Sequence, residues 1–329
     1  MGRDVHVRED RPVGGRRAGG VRGLLGALIA AAVVVPLSAA ARPEIPAPAP
    51  AVLAAPTAAG LPGTYAANRA NAAEAAREAD AAGAGHRAAA DRALAAGSRQ
   101  LLAFDGRGSG RATEVIGDLA HADHVAVLVP GSDTSLDTYG RFHHAATALY
   151  GELPRDRRTA VVAWLGYDTP GTVSTTVTTT ARADLAAPRL REFLGELRGA
   201  LRPGTQVTAV CHSYGSVVCG RAADGLDVDD LALVGSPGTG APTAAALHTR
   251  ARVWAARGAR DWVANVPHTS VDVLGATVGF GTDPLSPSFG ARVFDAAGAD
   301  HSGYFTPGST ALANLARITL GDTSEVTHA

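Results

Sequence analysis

The stretch VCHSYGSVVCG, residues 210–220, places Ser213 between an apolar run and a run of small residues. A serine hydroxyl becomes a nucleophile when a base takes its proton and small neighbours let it sit on a sharp turn between a strand and a helix. Gly215 supplies one small position, and Cys211 occupies the other, where glycine is usual. The pattern predicts a nucleophilic serine, with a capping serine in an ordinary turn as the alternative.

A nucleophilic serine needs a base and an acid that orients the base. His301 in GADHSGYF and Asp261 in ARGARDWV each follow a predicted strand later in the chain, which should bring both to the rim that carries Ser213. His212 competes as the base, although neighbouring side chains on such a turn diverge, and so does His268, which no strand positions. The competing acids are Asp272, Asp283 and Asp295, of which Asp283 ranks second.

Acyl chemistry also needs backbone N–H groups that stabilise the negative oxygen of the tetrahedral intermediate. Tyr214, directly after the serine, should supply one of them. The second should come from VPGSDTS, residues 129–135, where Ser132 or Asp133 would donate and Gly131 gives the backbone room. The alternative for this segment is a turn that leads into a helix, and both interpretations are compatible.

Alternating apolar runs and helical patterns predict the scaffold that positions these residues. A strand pair with a glycine turn is predicted at residues 101–105 and 113–119. Further strands are predicted at residues 124–131, 159–167, 205–211, 230–238, 252–258 and 291–298. Because helical patterns separate these strands, we predict a mainly parallel, doubly wound α/β sheet with helices on both faces.

The assembled stretches resemble the α/β-hydrolase superfamily, and more closely a bacterial, often exported, α/β-hydrolase domain family of unknown function. The matching stretches are VPGSDTS, CHSYGS, GSPG, DPLSPSFGA and HSGYF, within residues 100–320. The resemblance implies an α/β-hydrolase fold and a serine hydrolase in which Ser213, Asp261 and His301 are catalytic. It implies no substrate.

Only residues 239–251 separate GSPG from RVWAARG, which leaves no room for a large cap over the site. The irregular segment 263–290 is the better candidate for a lid or substrate rim. We therefore expect an open, shallow site for an ester, thioester or amide on a bulky or surface-bound acyl substrate. The alternatives are an acyltransferase with the same residues and a noncatalytic cell-surface binding protein that retains the fold.

The N-terminal residues 1–41 read as an export signal, because several arginines precede an apolar run that Pro36 ends before small residues. An uncleaved membrane anchor at residues 24–41 is the alternative, and residues 23–41 could associate with a membrane. Both place the protein outside the cytoplasm, secreted or at the cell surface. Residues 42–63 are predicted as a Pro/Ala-rich linker and 64–99 as an Ala-rich helical arm that packs loosely on the 100–329 domain or holds it away from the cell surface.

Composition excludes several classes of function. The chain has 30 basic and 31 acidic residues and lacks a dense basic stripe, so nucleic acid is not an expected partner. Two cysteines are too few for a cysteine metal framework, and no cofactor is expected. Cys211 ends a strand and Cys219 is predicted about two turns along the next helix, which is too far for a disulfide, so both are expected to be buried and reduced.

Overall fold

The computed structural model describes residues 1–2, 44–172, 179–266, 270–273 and 276–329, with the backbone alone for 270–273 and 276–278. The chain divides into the units Met1–Glu44 and Ile45–Ala329, and the second contains every element described below. The predicted signal or anchor, residues 1–41, lies almost entirely outside the described residues. Among those described, no helix is both long and apolar enough to cross a membrane.

The fold is built on a central sheet. In chain order the strands of the described residues are β1 (Gln100–Asp105), β2 (Arg111–Gly117), β3 (His124–Val129), β4 (Thr159–Leu165), β5 (Gln206–His212), β6 (Asp230–Val234), β7 (Arg252–Ala256), β8 (Ser270–Val273), β9 (Ala276–Gly279) and β10 (Arg292–Val293). All except β8 and β9 form one sheet in the order β1-β2-β4-β3-β5-β6-β7-β10. The strands from β4 to β10 in this order run parallel, while β1 and β2 are antiparallel, as the glycine turn between them predicts.

Helices cover both faces of this sheet. Among the described residues they are α1 (Leu61–Ala81), α2 (Gly85–Leu94), α3 (Tyr139–Glu152), α4 (Ala181–Ala200), α5 (Gly215–Ala222) and α6 (Thr310–Leu320). Along β3, Val125 and Val127 belong to one apolar core, which α4 and α5 cover, while Ala126 and Leu128 belong to the other, which α3 and α6 cover. This two-sided burial explains the nearly continuous apolar strands, and the predicted doubly wound α/β fold is confirmed.

The helical arm packs more tightly than the sequence indicated. Ala72, Ala75 and Ala79 of α1 are fully buried, and the Asn68 amide donates to the carbonyl oxygens of Leu101 and Leu102 at 3.2 and 3.0 Å. The expectation of loose packing is therefore wrong. Alanine side chains bury little area, but their small size lets a helix approach a strand closely enough for direct hydrogen bonds to its backbone.

Two further segments differ from the prediction. The segment 263–290, expected to be irregular, contains the antiparallel hairpin β8–β9 and two buried aromatic residues, Phe280 and Phe289. The predicted strand at 291–298 is only two residues long, because it lies at the sheet edge and pairs with β7 alone. It nevertheless leads the chain back to the carboxyl ends of the neighbouring strands, where the candidate site lies.

Candidate active site

Ser213 lies on the turn between β5 and α5 with a φ of 54°, in the left-handed region that side chains rarely adopt. Its N–H donates to the carbonyl oxygen of Val234 on the neighbouring strand β6, at 3.0 Å. A Cβ at Gly215 would lie 2.5 Å from the carbonyl oxygen of Val129, so this position requires glycine. The turn is therefore a strained strand-to-helix elbow that directs the serine hydroxyl out of the sheet.

The structure brings the three residues singled out as nucleophile, base and acid into one hydrogen-bonded row. Ser213 Oγ is 2.8 Å from His301 Nε2, and His301 Nδ1 is 2.9 Å from Asp261 Oδ1. Ser213 is 8% exposed and Asp261 is 3% exposed. An N–H on Nδ1 that donates to the carboxylate leaves Nε2 as the acceptor for the serine proton, which is the arrangement that general-base catalysis requires.

Asp261 is held by two further donors. The N–H of Val263 donates to Oδ1 at 2.9 Å, and the buried hydroxyl of Tyr304 donates to Oδ2 in a short hydrogen bond. Burial is the largest influence and raises the pKa of Asp261, but the hydrogen bonds from His301, Tyr304 and Val263 together hold this pKa below its usual value. Tyr304 was not predicted as a site residue, although it lies only three positions after His301 in HSGYF.

The amide groups around Ser213 separate the two candidates for the second oxyanion donor. The N–H of Asp133 donates to the carbonyl oxygen of Pro170 at 3.0 Å, so it is engaged. Within the described residues, the N–H groups of Ser132 and Tyr214 have no protein acceptor. A Cβ at Gly131 would lie 2.6 Å from Ser213 Cβ, which explains why this loop needs glycine beside the serine. The geometry therefore favours Ser132 over Asp133.

The competing residues have other contacts. His212 Nε2 is 2.7 Å from the backbone oxygen of His301, and the carboxylate of Asp283 pairs with Arg257 at 2.9 Å. Asp295 accepts from the N–H of Ala297 at 2.6 Å, as in a local turn. Their observed contacts are with structural partners. His268 and the side chain of Asp272 lie outside the described part of the chain.

A cavity of about 400 Å³ opens at Ser213. Apolar side chains, among them Phe142 and Phe305, form much of its wall, and Arg141 also lines it. Trp262 is 50% exposed, and the centres of its ring and the His301 ring are 4.6 Å apart. The described lining includes no residue of 263–290, the segment proposed from the sequence as a lid or rim.

Cys211 and Cys219 form a disulfide, with their Cα atoms 6.4 Å apart. Both are buried as predicted, but the prediction that they are reduced is wrong. Cys219 lies only about one turn into α5, and the elbow reverses the chain so that this helix packs back along β5. The through-space distance is therefore much shorter than the path along the chain, and it lies within the range for a disulfide.

Residues 105–271, just over half of the chain, match the family described as alpha/beta hydrolase, and the chain belongs to this family. The matched range contains Ser213 and Asp261 and ends before His301. Fold and family together place the chain among the α/β hydrolases.

The curated relatives come from mycobacteria. An uncharacterized protein of Mycobacterium tuberculosis is 32% identical in an alignment of 256 residues that covers 67% of this chain and 38% of that protein. An uncharacterized protein of Mycobacterium bovis is 32% identical in an alignment of 136 residues that covers 38% of this chain and 51% of that protein. The chain thus spans between 38% and 51% of the length of these relatives.

Solved structures show more distant likenesses. The esterase PE8 is 18% identical with a TM-score of 0.42, over 64% of this chain and 97% of that one. An α/β serine hydrolase without lid from Xanthomonas campestris is 16% identical with a TM-score of 0.41, over 69% of this chain and 95% of that one.

Proposed function

We propose that the protein is an exported serine hydrolase that cleaves an acyl ester, thioester or amide through a covalent acyl-enzyme. The observation that carries this proposal is the row of hydrogen bonds from Ser213 through His301 to Asp261, at 2.8 and 2.9 Å. The two amides without a protein acceptor, at Ser132 and Tyr214, support it, because they flank the serine where an oxyanion would form.

In the first half-reaction, Ser213 Oγ attacks the acyl carbon while His301 Nε2 takes the serine proton. The carbonyl oxygen becomes negative and accepts hydrogen bonds from the amides of Ser132 and Tyr214. The bond to the leaving group then breaks, and His301 returns its proton to that group. Asp261 stays ionised and stabilises the imidazolium through Nδ1.

In the second half-reaction, water gives a proton to His301 and attacks the acyl carbon. The bond from this carbon to Ser213 Oγ then breaks as His301 returns the proton to Oγ. The products are the free acid and the regenerated serine. An alcohol in place of water would make the same residues an acyltransferase. Measuring the product ratio at increasing alcohol concentration separates the two activities.

Covalent labelling with a fluorophosphonate tests the proposal. We expect stoichiometric phosphonylation of the wild type, none of Ser213→Ala, and wild-type labelling of the exposed control Ser288→Ala. A folded wild-type protein that takes up no label would contradict the hydrolase and favour the noncatalytic binding protein. Equal labelling of Ser213→Ala would assign the nucleophile to another residue.

Export is part of the proposal. The arginine-rich start and apolar run of residues 1–41 support it, and so does the disulfide, since disulfides persist in oxidising compartments. We expect the mature chain to begin near residue 42 and to be recovered outside the cytoplasm. Mass measurement of the N-terminus after expression checks this, and an intact residue 1–41 segment in the membrane fraction would instead indicate an anchor.

A further inference from the structure

The cavity at Ser213 continues into a neighbouring groove of about 660 Å³. The residues that line both are Arg141, Ala145, Ser302 and Phe305. The groove then follows one face of α3 past Ala148, and Pro307 lies on its opposite side. A substrate longer than the cavity at the serine can therefore extend over these four shared residues and along this helix.

Arg141 is the cation nearest to the serine end of this path. Its guanidinium is exposed and has no ion-pair partner within the described residues. Most other arginines of the described chain bind a carboxylate or a backbone carbonyl, as Arg99 does with Glu114 at 2.7 Å. The acidic residue of the groove, Glu152, lies eleven positions further along α3, or about 16 Å away along the helix axis. The cavity at the serine is also lined by Asp133, whose carboxylate accepts from the N–H of Thr172 at 3.1 and 3.2 Å. Of these two charged side chains, only Arg141 has no partner within the described residues.

We propose, resting on the serine-hydrolase function above, that the substrate carries an anionic group, a carboxylate or a phosphate, which Arg141 binds beside Ser213. A planar guanidinium can bind either group through two parallel hydrogen bonds, and it stays charged at every physiological pH. The apolar surfaces of Ala145 and Phe305 contact the hydrocarbon part of the same substrate. The protein is therefore selective for anionic acyl compounds over neutral ones of equal size.

The test compares matched aryl esters. Phenyl hemisuccinate places a carboxylate on the acyl side, 4-carboxyphenyl butyrate places it on the leaving group, and phenyl butyrate is the neutral reference. We expect kcat/KM for at least one anionic ester to exceed the neutral value by about 10-fold, and the preference to fall as salt increases. A second ester, in which a phosphonate replaces the carboxylate of the preferred one, then shows which of the two anions the protein recognises better.

Substitutions assign the preference to Arg141. We expect Arg141→Gln to lower the ratio of anionic to neutral kcat/KM about 10-fold and Arg141→Lys to restore part of it. Arg189→Gln is the matched control, because Arg189 is exposed, has no partner among the described residues and lies outside both cavities. Two outcomes would overturn this inference without affecting the proposed function. One is a wild type that takes up fluorophosphonate but shows no preference for anionic esters, and the other is a preference that survives Arg141→Gln. Failure to label the wild type overturns the proposed function itself.

A second inference concerns the arm. Arg87 of α2 is 2% exposed, and its guanidinium binds both carboxylate oxygens of Asp137, at 2.9 and 3.1 Å. It also donates to the carbonyl oxygens of Gly106, Gly108 and Ser109 at 3.0 to 3.3 Å, which fills the turn between β1 and β2. One buried side chain of the arm therefore joins two loops of the hydrolase fold.

Further hydrogen bonds connect these two loops to residues 129–135, the loop that contains Ser132. The N–H of Leu136, next to Asp137, donates to the carbonyl oxygen of Ser109 at 3.1 Å. The hydroxyl of Thr138 donates to the carbonyl oxygen of Asp133 at 2.9 Å. Asp133 has a φ of 56° and directly follows Ser132, whose amide has no protein acceptor within the described residues.

We infer that Arg87 is a positioning residue that acts through Asp137 to hold the Ser132 amide in place for the proposed reaction. The helical arm is then required for turnover, although it contributes no group to the cavity at the serine. Removing Arg87 should destabilise the transition state more than the bound substrate, because the oxyanion forms only as Ser213 attacks the acyl carbon.

We expect Arg87→Gln to lower kcat about 10- to 100-fold with KM changed less than 3-fold, and to weaken binding of an aryl boronic acid in parallel. Asp137→Asn, which keeps the side-chain shape, should shift kcat in the same direction if Arg87→Gln does not fold. Arg92→Gln, on the exposed face of α2, is the control. A folded Arg87→Gln or Asp137→Asn protein with wild-type kcat overturns the inference, whereas an unlabelled wild type overturns the function on which it rests.

Discussion

His212 and His301 are joined by a hydrogen bond in which the His212 ring donates from Nε2 to the backbone oxygen of His301, 2.7 Å away. The ring centres are 4.8 Å apart. Burial, followed by the proximity of the His301 charge, lowers the pKa of His212 to about 4, so this ring is neutral at physiological pH. His212, beside the candidate nucleophile Ser213, thus anchors the loop that carries the candidate base.

Replacing His212 with leucine removes this anchor. We expect His212→Leu to slow fluorophosphonate labelling of Ser213 about 10-fold, because the His301 loop loses a hydrogen bond worth about 1 kcal/mol and the imidazole no longer keeps its alignment. His121→Leu, at an exposed histidine, is the control. Unchanged labelling of His212→Leu would show that the remaining contacts of the loop suffice.

The lowered pKa of His212 also predicts how stability depends on pH. The unfolded chain takes up a proton on this ring near pH 6.5, whereas the folded protein does so only near pH 4. Between these values the unfolded state binds more protons, so the free energy of unfolding falls as pH decreases, by up to about 3 kcal/mol from this group. Urea titrations at pH 7 and pH 4.5 should show that the free energy of unfolding decreases less between these pH values for His212→Leu than for wild type. An equal loss would mean that other groups cause the acid sensitivity.

Gly131 leaves no space for a side chain. The Cβ of an alanine would lie 2.6 Å from Ser213 Cβ and 3.1 Å from Ser213 Oγ, so the nucleophile must move. We expect Gly131→Ala to lower kcat/KM by on the order of 100-fold, since a displacement of about 1 Å is sufficient for such a loss. Gly140→Ala, at a helical position with open space around the Cβ, should retain activity. Similar activity of both variants would contradict the tight approach of this loop.

Tyr304→Phe removes the donor to Asp261 Oδ2. This hydrogen bond favours the ionised carboxylate, so its loss raises the pKa of Asp261, and activity should begin to fall at a higher pH on acidification. We also expect a destabilisation of about 1–3 kcal/mol, because a buried carboxylate oxygen loses its partner. The pH profile of kcat/KM, with Tyr150→Phe as control, measures the shift. An acid limb at the wild-type position would show that Tyr304 does not influence Asp261.

The disulfide predicts a defined thiol count. Denatured but unreduced protein should show no free thiol, and two after reduction. The double variant Cys211→Ala with Cys219→Ala should lose about 2–3 kcal/mol of stability, as expected for a bridge that closes a short loop. Thiol titration and urea unfolding check these outcomes. Two free thiols in protein isolated under oxidising conditions would contradict the bridge.

The strands of the central sheet and the rim that carries the candidate site could be predicted because they depend on local patterns. Apolar runs such as HVAVLV identify buried strands, and parallel strands bring their carboxyl ends together, so the sequence alone predicts that Asp261 and His301 lie beside Ser213. The close hydrogen-bond geometry of the three follows from that topology.

Features that depend on distances through space were not predictable in this way. Sequence gives only the separation of Cys211 and Cys219 along the chain, whereas the elbow brings the two residues close together in space. The role of Arg87 was missed because its partners lie 19 to 50 positions further along the sequence. Asp133 and Ser132 could not be separated, because the choice depends on the carbonyl oxygen of Pro170, which a loop brings to one amide only.

The bridge between Cys211 and Cys219 encloses the elbow in a covalent ring. A strained residue such as Ser213 would ordinarily relax during brief local openings of the backbone, which are the commonest fluctuations of a folded protein. The ring ties β5 to the helix that follows the elbow, and the N–H of Ser213 is bound to the adjacent strand. Both links oppose local opening of the backbone at Ser213, so the bridge stabilises a conformation that this residue would otherwise leave more easily.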